Sequence, residues 1–232
     1  MTAQTPNQTP NQVPNQVPKP GPGFDEILAF HGVELDGGDI PSLQGFLEYL
    51  YAVNESMNLT RIAPEDAWSR HIADSLSLLP AIASEDAKTV IDVGSGGGLP
   101  AIPLAICLPG VHFHLIESTA KKAAFLEAVA VHTGLANVTV HAERAEKLGE
   151  KPKGLLRGCG DVVTSRAVGR LKALAGWCMP LLKPGGLMLS IKGEQAQAEV
   201  DEADGTLRRI RLDVVDVRRG PTGTVVAIRK RG

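Results

Sequence analysis

Thr89-Val90-Ile91-Asp92-Val93-Gly94-Ser95-Gly96-Gly97-Gly98-Leu99-Pro100 is the stretch on which the fold turns. Thr89–Val93 is a short, β-branched apolar run, the pattern of a buried strand. It ends in glycines, and Ile102-Pro103-Leu104-Ala105-Ile106 then reads as a helix. Strand, glycine turn and helix set a ligand against backbone N–H groups at a helix N-terminus. Gly94, Gly96 and Gly98 carry no β-carbon to hold that ligand away.

The dinucleotide fingerprint G-x-G-x-x-G requires glycine at position 99, where Leu99 stands. The pattern present, Asp-x-Gly-x-Gly-x-Gly, resembles motif I of the Rossmann-like methyltransferases, which bind S-adenosylmethionine. Glu117 follows the next strand, 23 residues beyond Gly94. A carboxylate there accepts hydrogen bonds from ribose hydroxyls, whichever nucleoside is bound.

Outward from this centre, strand and helix patterns alternate, as in a mostly parallel sheet. Strands are expected at 88–93, 112–116, 138–141, 161–164 and 187–191, with a turn at 183–186. A final hairpin is expected from 210–217 and 224–229, making seven strands. The helix at 119–133 buries Phe125, Leu126 and Val129, and another runs through Leu171, Leu174 and Trp177. Ligands in such sheets sit beyond the carboxyl ends of the strands. Those ends carry Gly94, Glu117, the segment 143–146, Arg166 and Lys192.

Before the sheet, Leu43, Leu47, Leu50, Tyr51 and Asn54 share one helical face, with Asp39 as its expected N-cap. A second helix is expected from Pro64, its apolar stripe formed by Trp68, Ile72, Leu76 and Leu79. His71 and Asp74 share a different face, as a histidine satisfied by a carboxylate would. Pro-Asn-Gln recurs three times between Pro6 and Val17. Such a segment has little to bury. The expected organisation is a disordered tail at 1–22, a helical cap at 23–80 and a core at 81–232.

The 232 residues carry a net charge of −2, which names no partner. Its distribution says more. Residues 1–80 hold three basic and ten acidic side chains, whereas 207–232 hold eight basic and two acidic. A basic end suggests anion or nucleic-acid binding. Three scattered cysteines without a CxxC pair argue against a disulfide framework and a metal site. No apolar run reaches the roughly 20 residues of a membrane span, and no basic-then-apolar leader stands at the N-terminus. A cytoplasmic monomer without membrane contact is expected.

The acceptor chemistry is narrowed by absences. Cytosine C5 methylation needs a cysteine beside the base, yet Cys159 and Cys178 are not at strand ends. The Asn/Asp-Pro-Pro-aromatic motif of amino methylation is replaced by Thr164-Ser165-Arg166-Ala167-Val168. A ring nitrogen with a free lone pair, such as guanine N7, fits both. Arg166 then binds O6 of the base, a phosphate or the cofactor.

Several motifs occur in order: Asn58-Leu59-Thr60-Arg61-Ile62, Arg70-His71-Ile72-Ala73-Asp74-Ser75-Leu76, the glycine turn, Glu117-Ser118 with Lys121-Lys122, Ser165-Arg166-Ala167 and Ile191-Lys192-Gly193. Together they resemble the bacterial 16S ribosomal RNA guanine-N7 methyltransferases, the glucose-inhibited division protein B family, over residues 24–230. The resemblance implies a class I Rossmann-like α/β methyltransferase with an N-terminal helical extension. Its implied substrate is a guanine near the decoding site, in 16S rRNA or the small subunit. It puts cofactor contacts on Gly94, Leu99, Ala145, Glu146 and Arg166, and makes Arg166, His71 and Lys192 the candidate catalytic groups. Asn58, Arg61 and Asp74 become candidates for the RNA-facing mouth. Ala101 departs from the family's usual glycine. A methyltransferase of small molecules or proteins, and an RNA-binding protein with a vestigial pocket, are the competing readings.

Overall fold

The computed structural model describes residues 17–150 and 152–232. Its centre is one seven-stranded sheet. The strands are β1 (Thr89–Val93), β2 (His112–Ile116), β3 (Val138–His141), β4 (Gly160–Arg166), β5 (Leu182–Lys192), β6 (Leu212–Arg219) and β7 (Thr224–Lys230). Their order is β3-β2-β1-β4-β5-β7-β6. β1 to β5 pair in parallel, and β7 runs antiparallel to both neighbours. β6 therefore runs in the direction of β5, and its C-terminal end lies at the same edge as the ends of the parallel strands.

Both faces of the sheet are covered, so its central strands are apolar at consecutive positions. Val90, Phe113, Leu115, Val162, Leu189 and Ile191 face one core. Ile91, Val93, Ile116, Val163, Met188 and Val226 face the other. The first core is shared with α1 (Pro22–His31), α2 (Asp39–Met57), α4 (Leu79–Ser84), α5 (Ala101–Cys107) and α6 (Ala120–His132). The second is closed by α7 (Ala145–Leu148), α8 (Leu171–Cys178) and α9 (Ala196–Arg209).

Four expectations change. Residues 183–186 do form an excursion, but inside β5: Gly160 pairs with Leu182 and Val162 with Leu187, so the four bulge against Asp161 alone. Lys183 fixes the bulge by an ion pair to Asp161 at 2.6 Å. Asp39 is the first residue of α2 rather than its cap, and its carboxylate instead accepts the Asp36 N–H at 2.9 Å. The helix expected from Pro64 is a 3-10 turn (Pro64–Asp66), a π-helical turn (Trp68–Ala73), a short α3 (Asp74–Leu76) and then α4. The π turn buries Trp68, His71, Ile72 and Ala73.

The fourth change concerns the tail. Residues 1–16 lie outside the described residues, but 17–22 do not form part of a detached tail. Val17 is 4 % exposed. Its carbonyl accepts from Gln44 at 3.0 Å, the Pro18 carbonyl accepts the Trp68 indole N–H at 2.8 Å, and α1 begins at Pro22. An indole N–H buried under a helix needs such an acceptor.

Candidate active site and cofactor cleft

A cleft of about 260 Å³ opens beyond the C-terminal ends of β1, β2 and β3. Gly94, Glu117, Ala145 and Glu146 line it, with Ser118, Glu143, Arg144, Val168 and Trp177. Glu117 is its organising group and is 7 % exposed. One carboxylate oxygen accepts the Gly96 N–H at 3.1 Å and the other the Thr119 N–H at 2.7 Å. Glu117 thereby ties the glycine turn to the start of α6. Each oxygen keeps a further lone pair for a ligand hydroxyl.

The glycines have separate reasons. A β-carbon on Gly94, at φ +75°, would stand 2.6 Å from Val168. One on Gly98, at φ +84°, would stand 2.7 Å from Ile102. At these two positions the missing β-carbon makes room for protein side chains. A β-carbon on Gly96, at φ +50°, would meet no atom closer than the Gly94 carbonyl oxygen at 3.7 Å, an ordinary contact. The turn's N–H groups are also largely engaged. Those of Gly94 and Ser95 donate to Ile116, that of Gly96 to Glu117, and those of Gly98 and Leu99 to Ser95. Recognition in the cleft falls to Glu117, shape and the apolar walls of Val168 and Trp177. A carboxylate for ribose hydroxyls and apolar walls for a purine suit S-adenosylmethionine. Leu99 flanks the turn and packs against the core shared with the cap.

Arg166 ends β4 under the cap, apart from the residues lining the cleft. Its Nη2 donates to His71 Nδ1 at 3.1 Å. A guanidinium has no acceptor, so Nδ1 must accept and the imidazole proton sits on Nε2. Nε2–H then donates to Thr60 Oγ1 at 2.8 Å, which also accepts the Ile62 N–H at 3.1 Å. His71 is 2 % exposed. Burial first, and the Arg166 charge second, push its pKa down to about 3. It is a neutral acceptor with no spare lone pair. Among the described residues, Arg166 Nη1 is buried without a hydrogen-bond partner. Tyr51 donates to the Ile62 carbonyl at 2.8 Å, and burial pushes its phenol up to about 12.

The expected His71–Asp74 satisfaction is replaced by two longer links. His71 reaches Arg166, while the Asp74 carboxylate accepts from Thr222 in the turn between β6 and β7. Lys192 is 6 % exposed; its ammonium donates to the Gly169 carbonyl at 2.8 Å and pairs with Glu199 at 3.0 Å. Glu199 also accepts the Leu171 N–H at 2.8 Å. Lys192 thus braces the 167–170 loop whose Val168 walls the cleft. Asn58 and Arg61 are exposed in the loop after α2. Val168 and Trp177 are the cleft residues that sequence reasoning missed. Trp177 carried a signal, an aromatic one helix beyond a strand end.

The basic C-terminal end divides in two. Arg218 and Arg219 end β6 at the site edge. Arg208, Arg209, Arg211, Arg229, Lys230 and Arg231 lie at the opposite edge. Most of these are engaged: Arg229 with Glu85 at 2.5 Å, Arg231 with Asp213, Arg208 with Asp204 at 3.0 Å, and Lys230 with the Met179 carbonyl at 3.0 Å. The eight basic residues are not one field. Among the described residues, no helix is long and apolar enough to cross a membrane.

The fold is shared with an O-methyltransferase from Bacillus cereus solved with SAH, at TM-score 0.60 and 17 % identity over 90 % of this chain and 97 % of that one. Closer sequence relatives are two proteins named ribosomal RNA small subunit methyltransferase G. The one from Sorangium cellulosum is 48 % identical over 92 % of this chain and 89 % of its own. The one from Desulfitobacterium hafniense is 42 % identical over 80 % and 76 %. The family model GidB, rRNA small subunit methyltransferase G, matches residues 39–219. With its class I fold, its cleft at the ends of β1 to β3 and these relatives, the chain belongs to the GidB family of rRNA small subunit methyltransferases.

Proposed function

We propose that the protein transfers a methyl group from S-adenosylmethionine to N7 of a guanine in 16S ribosomal RNA, near the decoding site. The observation that carries this reading is the His71–Arg166 hydrogen bond at 3.1 Å. It occupies the one lone pair with which His71 could take a proton. An oxygen acceptor needs a base and a carbon acceptor a nucleophile. Tyr51 is held as a phenol, and Cys178 is fully buried with its thiol pushed up by burial. An unprotonated ring nitrogen needs neither group. This disfavours transfer to hydroxyl groups of small molecules.

When bound, S-adenosylmethionine supplies a sulfonium methyl for displacement. Gly94, Glu117, Ala145 and Glu146 would hold it, with Gly96, Gly98 and Leu99 shaping the turn. Arg166 orients the acceptor or the cofactor through its unpartnered Nη1. His71 holds Arg166, and Lys192 holds the loop behind it; both are positioning residues. An rRNA substrate implies a cytoplasmic protein. Mass spectrometry of 16S rRNA from a deletion strain tests the reading: one 7-methylguanosine should be missing, and the purified protein should restore it. An unchanged methylation profile would sink it.

A further inference from the structure

The positive charge at the site edge comes from two places far apart in the chain. Arg61 directly follows Thr60 and Arg70 directly precedes His71, and both are exposed. The charge of Arg70 reaches His71 and Arg166. Arg218 and Arg219 close β6 and are exposed as well. The charge of Arg218 reaches His31 in α1. Glu65 and Asp66 act on Tyr51, so the cap side is not uniformly basic.

The β6–β7 turn is seated firmly on the cap. Thr222 donates to Asp74, three residues after His71. A β-carbon on Gly220 would stand 2.9 Å from His31, and one on Gly223 3.2 Å from Asp74. The turn that follows Arg218 and Arg219 is thereby held against the segment that follows Arg70 and carries His71 and Asp74. Arg218 pairs with Asp216 at 3.6 Å, an exposed pair worth little in water and readily exchanged for a phosphate.

We infer that Arg61, Arg70, Arg218 and Arg219 form the phosphate-binding rim that seats RNA over Arg166, with the Thr222–Asp74 latch fixing the two halves of the rim. The inference rests on the rRNA reading above and adds to it the surface that the RNA crosses. It also removes the far-edge arginines from that surface.

The test compares three double variants in binding to protein-free 16S rRNA at a series of salt concentrations. They are Arg61→Gln/Arg70→Gln, Arg218→Gln/Arg219→Gln and, on the far edge, Arg208→Gln/Arg209→Gln. Each lost phosphate contact on single-stranded RNA lowers the slope of log K against log salt by about 0.7. Each rim pair should flatten the slope by about 1.4, and the far-edge pair should leave it unchanged. Rim variants with the wild-type slope, or a far-edge pair that flattens it equally, overturn the rim. Failure of the wild-type protein to methylate 16S rRNA overturns the function reading instead. Wild-type methylation with unaltered rim variants overturns the rim alone.

Discussion

Arg166 Nη2 donates to His71 Nδ1 across 3.1 Å, joining residues 95 apart in the chain. The donor leaves β4 and the acceptor sits in the π-helical turn of the cap. Cap and sheet are thus coupled at the point where the sheet ends in a buried cation. Since Nδ1 is taken and burial pushes His71 down to about 3, the imidazole orients and does not titrate near neutrality.

The methylation rate should therefore lack an ionisation near pH 6.5, the ordinary histidine value. His71→Gln keeps an acceptor for Arg166, and His71→Leu does not. A lost hydrogen bond to a buried charged group costs about 1.5–3 kcal/mol, or roughly 10- to 100-fold in rate if it acts in the transition state. The Leu variant should fall by that factor and the Gln variant by much less. Equal losses in both, or a pH–rate profile stepping near 6.5, would restore His71 as a base.

Stability should depend on pH through the same burial. His71 is pushed down to about 3 and His114 to about 4, and His31 and His141 are lowered as well, each chiefly by burial. Below about pH 6.5 the unfolded chain binds protons that the native histidines refuse, so stability falls as pH falls. Asp92 has the opposite sign. Burial raises it to about 7, so the native state keeps a proton that the unfolded chain releases above 3.8. Its contribution is lost as pH rises through that window. Melting temperature should fall between pH 6.5 and 4.5, because the histidines outnumber Asp92. In Asp92→Asn the opposing slope disappears. The melting temperature of the variant relative to wild type should rise with pH from 4 to 7, and a constant difference would refute the assignment.

β1, β2 and β4 were legible because each holds a short apolar run and its end is punctuated by glycine or charge. What was not legible came from contacts distant in sequence. Nothing local in Arg70-His71-Ile72 announces a π-helical turn, because the π turn is stabilised by burying Trp68, His71, Ile72 and Ala73 against several elements at once. Val17 looks like the end of a repeat and is buried only because Gln44 and Trp68 wait for it and its neighbour. α9 was missed although Ala196, Val200, Ala203 and Leu207 recur at helical spacing. Two of the four are alanines, too small to stand out as a stripe. In the site, glycine pattern and strand ends pointed to Gly94, Glu117 and the segment 143–146, and these line the cleft. The roles of Gly94 and Gly98 depended on Val168 and Ile102, which only the folded chain brings to them.

Two glycines of the turn should respond differently to alanine. At Gly94 the new β-carbon meets Val168 at 2.6 Å with φ at +75°. Strain of that kind costs about 1–3 kcal/mol, about 2–10 °C in melting temperature for a chain of this size. At Gly96, with φ at +50°, the β-carbon meets nothing closer than the Gly94 carbonyl oxygen at 3.7 Å. Gly96→Ala should keep more of its stability and lose S-adenosylmethionine affinity, whereas Gly94→Ala should lose both. Calorimetry and thermal melts separate the two. Wild-type affinity in Gly96→Ala would show that the ligand does not approach there.

Trp177 lines the cleft and Trp68 is buried in the cap, and these are the two tryptophans of the chain. Adding S-adenosylmethionine should change Trp177 fluorescence and leave Trp68 untouched. The titration signal should persist in Trp68→Phe and vanish in Trp177→Phe. The reverse pattern would move the cofactor out of this cleft.

Arg166 is the residue on which the proposed chemistry depends most. It holds His71 with Nη2 and keeps Nη1 buried with no partner among the described residues. One donor is spent on the scaffold and the other remains for ligand, so the two tasks need a planar fork. Arg166→Ala should lower turnover at least about 100-fold, a barrier increase of about 2.7 kcal/mol. Arg166→Lys should recover little, because a single ammonium cannot reproduce both directions at once. The two positions should also be strongly non-additive. If His71 acts only by orienting Arg166, removing it from an enzyme that already lacks Arg166 changes nothing further. The Arg166→Ala/His71→Leu double variant should then be no slower than Arg166→Ala alone. Additive losses would mean that His71 touches the reaction by a route of its own.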